Sequence, residues 1–209
     1  MNLFELPVGN YLEELGSNSP APGGGTAAAL SGAQGAALVR MVSELTLGNY
    51  KYSPWFHICR DVSKNCEEFY LRLMAQMQLD SDAYYSMAES YRMPKETPAE
   101  IFARSERIQE ATAYAAYVPL TTMTLATEAL EQAVRLVDHS NPNCASDLGV
   151  AAECLRACVI GAYLNVRINV NSMKYQEGKD RLMIPAQEQY HNAMALYETV
   201  RSYAERAIG

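Results

Sequence analysis

The chain has 209 residues, 49% of them apolar and 20% charged, with a formal net charge of −7 at neutral pH. This balance suits a single globular domain over residues 1–209 with a core of its own, and excludes a disordered or fibrous chain. The acidic charge also argues against a nucleic-acid partner, because phosphate backbones are held chiefly through Lys and Arg. The most membrane-like stretch, Ala21 to Val39, holds five glycines and a proline and is too weakly hydrophobic for a span, so no membrane partner is expected. Met1 to Gly16 carries Glu5, Glu13 and Glu14 with no basic residue before an apolar run, which fits a cytoplasmic protein better than a secreted one.

In chain order, Pro7 opens a short helix ending at Gly16, with Leu12 and Leu15 on its inner side. The prolines and glycines of Ser19–Gly25 forbid regular structure and deliver a helix that runs to about Leu47 and stops at Gly48-Asn49. Ser53-Pro54 reads as N-cap and first residue of the next helix, about Trp55 to Tyr91, with Ile58, Val62, Cys66, Phe69, Leu73 and Met77 at helical spacing. Thr97 caps a further helix that starts at Pro98 and reaches about Asp138, a length of about 60 Å. Pro119 should kink it near Tyr117.

His139–Asn143 is a turn, and Ser146 caps a helix to about Lys174 with Asp147 in its first turn. Gln176–Asp180 is a polar break before a last helix, about Pro185 to Ala207. Asn165–Val170 alternates briefly but ends a long helical pattern and is read as helix. The expected fold is therefore all-α, an antiparallel bundle of about five or six helices, several of them long. Long helices with residual apolar faces pair readily across a two-fold axis, so a homodimer is expected.

The glycine stretch organises the rest. Gly23, Gly24 and Gly25 precede a helix N-terminus whose first N–H groups lack intrahelical partners, a natural cradle for an anion. Along the helix, Ala28, Gly32 and Ala36 at spacing four leave one face almost bare for close packing. The five cysteines, odd in number and without a CxxC pair, fit reduced core thiols. Cys154 with Cys158, and His57 with Cys59, fall short of the three or four donors a metal site needs, so no metal is expected.

The chain resembles the cyclodeaminase/cyclohydrolase family, which comprises the cyclodeaminase part of formiminotransferase-cyclodeaminase and the stand-alone methenyltetrahydrofolate cyclohydrolases. The matching stretches are Pro22–Leu30, Leu45–Gly48 with Lys51-Tyr52, Asp80–Tyr84, Met93–Lys95, Val118–Leu120, Asn141–Asn143 with Ser146-Asp147, and Leu164–Asn169. They occur in the family's order across most of the chain. Thr26 stands where the family often has Ser, and Met93 where Leu is common; neither removes a functional group. The resemblance implies an all-helical enzyme acting on tetrahydrofolate one-carbon units, with no metal or nucleotide and no cofactor beyond its folate substrate. Formimidoyltetrahydrofolate cyclodeaminase is the first expectation and methenyltetrahydrofolate cyclohydrolase the alternative. A non-catalytic folate-binding or scaffolding bundle is the competitor from another class.

Either reaction passes through a cationic amidinium and a tetrahedral carbon, so a carboxylate beside the one-carbon unit serves both. Asp80, on one helix face with Tyr84, is the first candidate, and Asp147 the second. Lys95 is placed to orient Asp80 or to meet a folate carboxylate. Asn165, Arg167 and Asn169 are candidates for the pterin, since buried amides and guanidinium need partners. Lys51 and Arg40 are candidates for the glutamate tail, Asn141 for substrate, and Gly23–Gly25 for a folate carboxylate. The structural alternatives are a solvated helix face for Asp80, a dipole-stabilising charge for Asp147, turn formation for Asn141, and an interhelical polar network for the asparagines.

Overall fold

The computed structural model describes residues 2–209. Six α-helices account for most of them: α1 (Val8–Leu15), α2 (Gly24–Leu47), α3 (Phe56–Tyr91), α4 (Pro98–Leu136), α5 (Ala145–Asn171) and α6 (Gln176–Ile208). The described residues contain no strand. Helices α2 to α5 form an antiparallel ring in which α2 packs on α3 and α5, and α4 closes it; α6 lies in the groove between α4 and α5. The centre is aliphatic, with Leu73, Met123, Leu130, Leu136, Leu148 and Leu155 fully buried.

The small residues of α2 have the expected consequence. A Cβ at Gly32 would stand 2.6 Å from Cys158 Sγ, and one at Gly35 2.6 Å from Leu155 Cγ, so these glycines let α5 lie against the α2 backbone. Gly161 on α5 answers them, closing on Ala28. By length and composition it is α5, within Pro142–Asn171, and not Ala21–Val39, that is apolar enough to cross a membrane; here it is flanked by α2, α4 and α6.

Several boundaries differ from expectation for local reasons. Pro7 is the N-cap of α1, and the inward residue is Tyr11, 3% exposed; Leu12 faces outward at 55%. The Asn49 side chain accepts from Lys51 N–H and starts a 3-10 turn over Tyr50–Trp55, which absorbs Ser53-Pro54 before α3 begins. Likewise Asn141 accepts from Asn143 N–H and opens the 3-10 turn Pro142–Cys144, which runs straight into α5, so Ser146 lies inside the helix and caps nothing. Gln176–Asp180 is the first turn of α6, held by Gln176 to Asp180 at 2.7 Å and by the Glu177–Arg181 pair. Pro185 falls inside that helix. Thr97 and Pro98 begin α4 with a complete capping box, as the sequence predicts.

Pro119 lies within α4, which continues through it. Lacking an N–H, it leaves the Ala115 carbonyl one turn earlier without its helical donor. Asn169 of α5 replaces that donor: its Nδ2 lies 2.7 Å from Ala115 O. The proline is thus tied to α5 through one side chain.

Candidate active site

The N-terminus of α2 is capped from another helix. Its N-cap, Gly23, has no side chain to offer. The carboxylate of Asp80, midway along α3, takes its place: Thr26 Oγ1 donates to Asp80 Oδ2 at 2.9 Å, and the Thr26 backbone N–H donates to the same carboxylate. Gly25 makes room for it, since a Cβ there would stand 2.1 Å from Asp80 Oδ1. The anion at this helix N-terminus is therefore the protein's own.

Burial pushes the Asp80 carboxyl above the usual range, and the two Thr26 hydrogen bonds partly oppose that rise. It opens into a cleft of ≈ 350 Å³ between the glycine loop, the C-terminal part of α3, and α5. Gly23, Gly24, Tyr84, Tyr91, Asn165 and Asn169 form much of its wall; no lysine, arginine or histidine lines it, and Asp80 is its one carboxylate. A half-buried carboxyl with a raised proton affinity, facing a polar cleft, is equipped to take and return a proton.

Asn165 and Asn169, one turn apart on α5, both face this cleft. Each uses its Nδ2 structurally, Asn165 on Gly161 O at 2.8 Å and Asn169 on Ala115 O, so each Oδ1 remains free to accept from a ligand. Arg167 is not part of the cleft wall, but with Asn165 and Ile168 it lines an open surface depression beside it, exposed and over the Tyr163 ring at 5.7 Å. Lys95 lies in the exposed turn after Tyr91, outside the cleft and beyond its Tyr91 end. Eleven residues of α3 separate Asp80 from Tyr91, about 17 Å, so Lys95 does not orient Asp80.

Lys51, Asn141 and Asp147 gather at the opposite end of the bundle. Asn141 N–H donates to Thr46 Oγ1 at 2.9 Å, and Tyr52 hydroxyl donates to Asn141 Oδ1 at 3.0 Å, so Asn141 fastens this turn to α2. Lys51 Nζ lies over the Tyr52 ring at 5.7 Å. Asp147 is in the first turn of α5. Thr46 is twenty residues of α2 from Thr26, about 30 Å; within one chain, Asp80 and Asp147 cannot flank the same carbon. Arg40 pairs with Glu67 at 3.4 Å on the bundle's side.

Thr26 as the anchor of Asp80 was not anticipated from the sequence. The signal was present as a hydroxyl in the first turn of a helix whose N-cap is glycine. Tyr91 also forms a cleft wall, continuing the Tyr84 face of α3 by two turns, and was likewise not anticipated.

The fold and site are those of an all-helical bundle whose glycine-capped central helix holds a half-buried carboxylate in a cleft lined by two asparagines, an arrangement suited to proton transfer. The sequence model described as formiminotransferase-cyclodeaminase matches residues 7–188, and the chain belongs to that family. It is 35% identical over 199 residues to a methenyltetrahydrofolate cyclohydrolase of Methylorubrum extorquens, covering 93% of this chain and 96% of the relative. It is 34% identical over 177 residues to a formimidoyltransferase-cyclodeaminase of Gallus gallus, covering 85% of this chain but 33% of that longer protein. The crystal structure of a formiminotetrahydrofolate cyclodeaminase from Thermotoga maritima shares the fold, with a TM-score of 0.89, 22% identity and 98% of each chain covered. The chain is thus a folate one-carbon enzyme of the cyclodeaminase/cyclohydrolase type.

Proposed function

We propose that the Asp80 cleft catalyses formimidoyltetrahydrofolate cyclodeamination. The observation that carries this reading is the half-buried Asp80 carboxyl, raised in proton affinity and alone among ionisable carboxyls in the cleft. The formimino group reacts as its protonated amidinium: the folate side-arm nitrogen attacks the amidinium carbon and gives its proton to Asp80. Asp80 then returns that proton to the departing nitrogen, which leaves as ammonia, and the methenyl cation remains. One carboxyl of raised affinity performs both transfers.

In this reading Thr26 and Gly25 hold Asp80, and the Asn165 and Asn169 carbonyl oxygens accept from pterin N–H groups. Tyr84 and Tyr91 flank the rings, and Lys95, beyond the Tyr91 end, meets carboxylates of the glutamate tail. The glycine loop serves Asp80, since the α2 N-terminus already has its anion. No cofactor beyond the folate substrate is required. Lys51, Asn141 and Asp147 have no part in the chemistry within one chain. A cytoplasmic homodimer remains our reading; Leu164 and Ile168, 55% and 66% exposed on α5 beside the cleft, supply apolar surface for it.

The second reading, methenyltetrahydrofolate cyclohydrolase, is favoured by the co-extensive relative in Methylorubrum extorquens. Asp80 would take a proton from the water that adds to the same carbon and return it to the ring nitrogen as that C–N bond breaks, leaving the formyl group on the side-arm nitrogen. The two are separated by offering formiminotetrahydrofolate and methenyltetrahydrofolate in turn and following the methenyl chromophore and ammonia together. Chromophore gained with ammonia supports the first; chromophore lost faster than its spontaneous hydrolysis supports the second. No change with either substrate overturns both.

A further inference from the structure

Helix α1 contributes one buried residue, Tyr11. Its ring packs against Ala29 of α2 and Met77 of α3. Ala29 is three residues from Thr26, and Met77 three residues from Asp80, so Tyr11 lies one turn away from the Thr26–Asp80 pair on both helices at once. The pair and this cluster also touch directly, since Thr26 Oγ1 lies 3.4 Å from Met77 O. The Tyr11 hydroxyl is enclosed and has no hydrogen-bond partner. Buried hydroxyls are ordinarily satisfied, and a lone one beside a working carboxylate calls for a role.

We propose that Tyr11 is a positioning residue for Asp80: its hydroxyl serves as a second donor, with Thr26, to the ionised carboxylate from the side facing away from the cleft. A hydrogen bond given only to the charged form holds the carboxylate in place and favours its ionisation. No other bond holds the Tyr11 hydroxyl, so it is free to turn toward the carboxylate. The Asp80 charge already acts on Tyr11, raising its phenol together with burial, which is the larger cause.

The other groups around Asp80 do not supply this effect. Thr26 faces it from α2 with a hydroxyl and N–H, α5 presents only the neutral Asn165 and Asn169, and Tyr84 follows one turn later on α3. Across Ala21, the neighbouring cleft holds Glu13, Glu14 and Tyr85, none of them cationic.

The inference rests on Asp80 as the proton carrier, and its test separates the two claims. Full-length protein with ¹³Cγ-labelled aspartate is titrated by NMR, with the Asp80 signal assigned by its loss in Asp80→Asn. In Tyr11→Phe the Asp80 midpoint should rise by about one pH unit, the size of one charge-assisted hydrogen bond. The acid limb of kcat should move with it, while KM stays within about twofold. The melting temperature should fall where Asp80 is ionised and hold or rise where it is protonated, because the donated bond exists only to the charged form; a purely structural hydroxyl would give no such pH dependence. Difluorotyrosine at position 11, a stronger donor of nearly the same shape, should shift the midpoint down. An Asp80 midpoint unmoved by both changes overturns the role of Tyr11, whatever Asp80→Asn does to turnover. If the midpoint moves but Asp80→Asn still turns over normally, the Tyr11–Asp80 link stands and the proton-carrier reading falls.

Discussion

Gly25→Ala places one methyl group where Asp80 now lies. The new carbon would stand 2.1 Å from Oδ1, 2.6 Å from Cγ and 2.7 Å from Oδ2, against an ordinary contact of 3.4 Å, so the carboxylate must retreat by about 1.3 Å. The helix backbone cannot give way instead, because α2 is clamped between α3 and α5. The retreat breaks the 2.9 Å bond from Thr26 Oγ1, a loss of about 1.5–3 kcal/mol for a hydrogen bond to a charge. Alanine returns about 1 kcal/mol through helix propensity. The net cost is about 0.5–2 kcal/mol, a fall in melting temperature of about 1–8 °C for a chain of this size. A displacement of that order at a proton-transfer group lowers turnover about 100-fold.

Calorimetry and a coupled chromophore–ammonia assay on the same preparation read both effects. Gly24→Ala is the internal control: its Cβ would meet Asn165 Nδ2 at an ordinary 3.7 Å, and both quantities should stay close to wild type. A Gly25→Ala protein that melts at or above wild type and turns over within a few-fold of it would refute the coupling of glycine loop to carboxylate.

Asp80→Asn should raise stability at neutral pH. The folded-state proton affinity of Asp80 is raised, so its contribution is fully present below the unfolded carboxylate range and is lost as pH rises through the folded value; the advantage of the uncharged variant should shrink on acidification, as melting curves across pH would record. Asn169→Ala should cost about 1–3 kcal/mol by stranding the Ala115 carbonyl, and less in a Pro119→Ala background, where the helix recovers that donor; a double-mutant cycle in denaturant with no coupling would contradict the assignment. Cys66 and Cys158, fully buried and pushed up to about 12, should resist a disulfide reagent in the native protein, and the partly exposed Cys154 should react first, as mass spectrometry of timed samples would establish.

Legibility followed the range of the interactions. Helix starts and stops set by Gly48, Thr97 and Pro98 were readable because the signal and its effect lie within one turn. Asn49 and Asn141 misled because their side chains capture backbone N–H groups two residues on and insert 3-10 turns before the helices the cap residues seemed to open. Gln176–Asp180 misled because polarity was read as a break, whereas its i,i+4 pairs make a first helical turn. At the site, the glycine loop, Asp80, Asn165 and Asn169 were each found, but not the relation among them: Thr26 meets Asp80 across 54 residues of sequence. Arg167 was grouped with the asparagines by alternate spacing; on the helix it stays out of the cleft wall but shares the adjoining surface depression with Asn165. Asp147, Lys51 and Asn141 were grouped with Asp80 because they fall in stretches shared with the family, and within one chain the length of α2 separates them.

The most direct measurement is single-turnover conversion of formiminotetrahydrofolate by wild type and Asp80→Asn, following ammonia and the methenyl chromophore, with folate affinity measured in parallel. Loss of the proton carrier should slow the chemical step by about 10²–10⁴ while binding holds within a few-fold. An Asp80→Asn protein that binds folate and releases ammonia at the wild-type rate would contradict the central role given to this carboxylate.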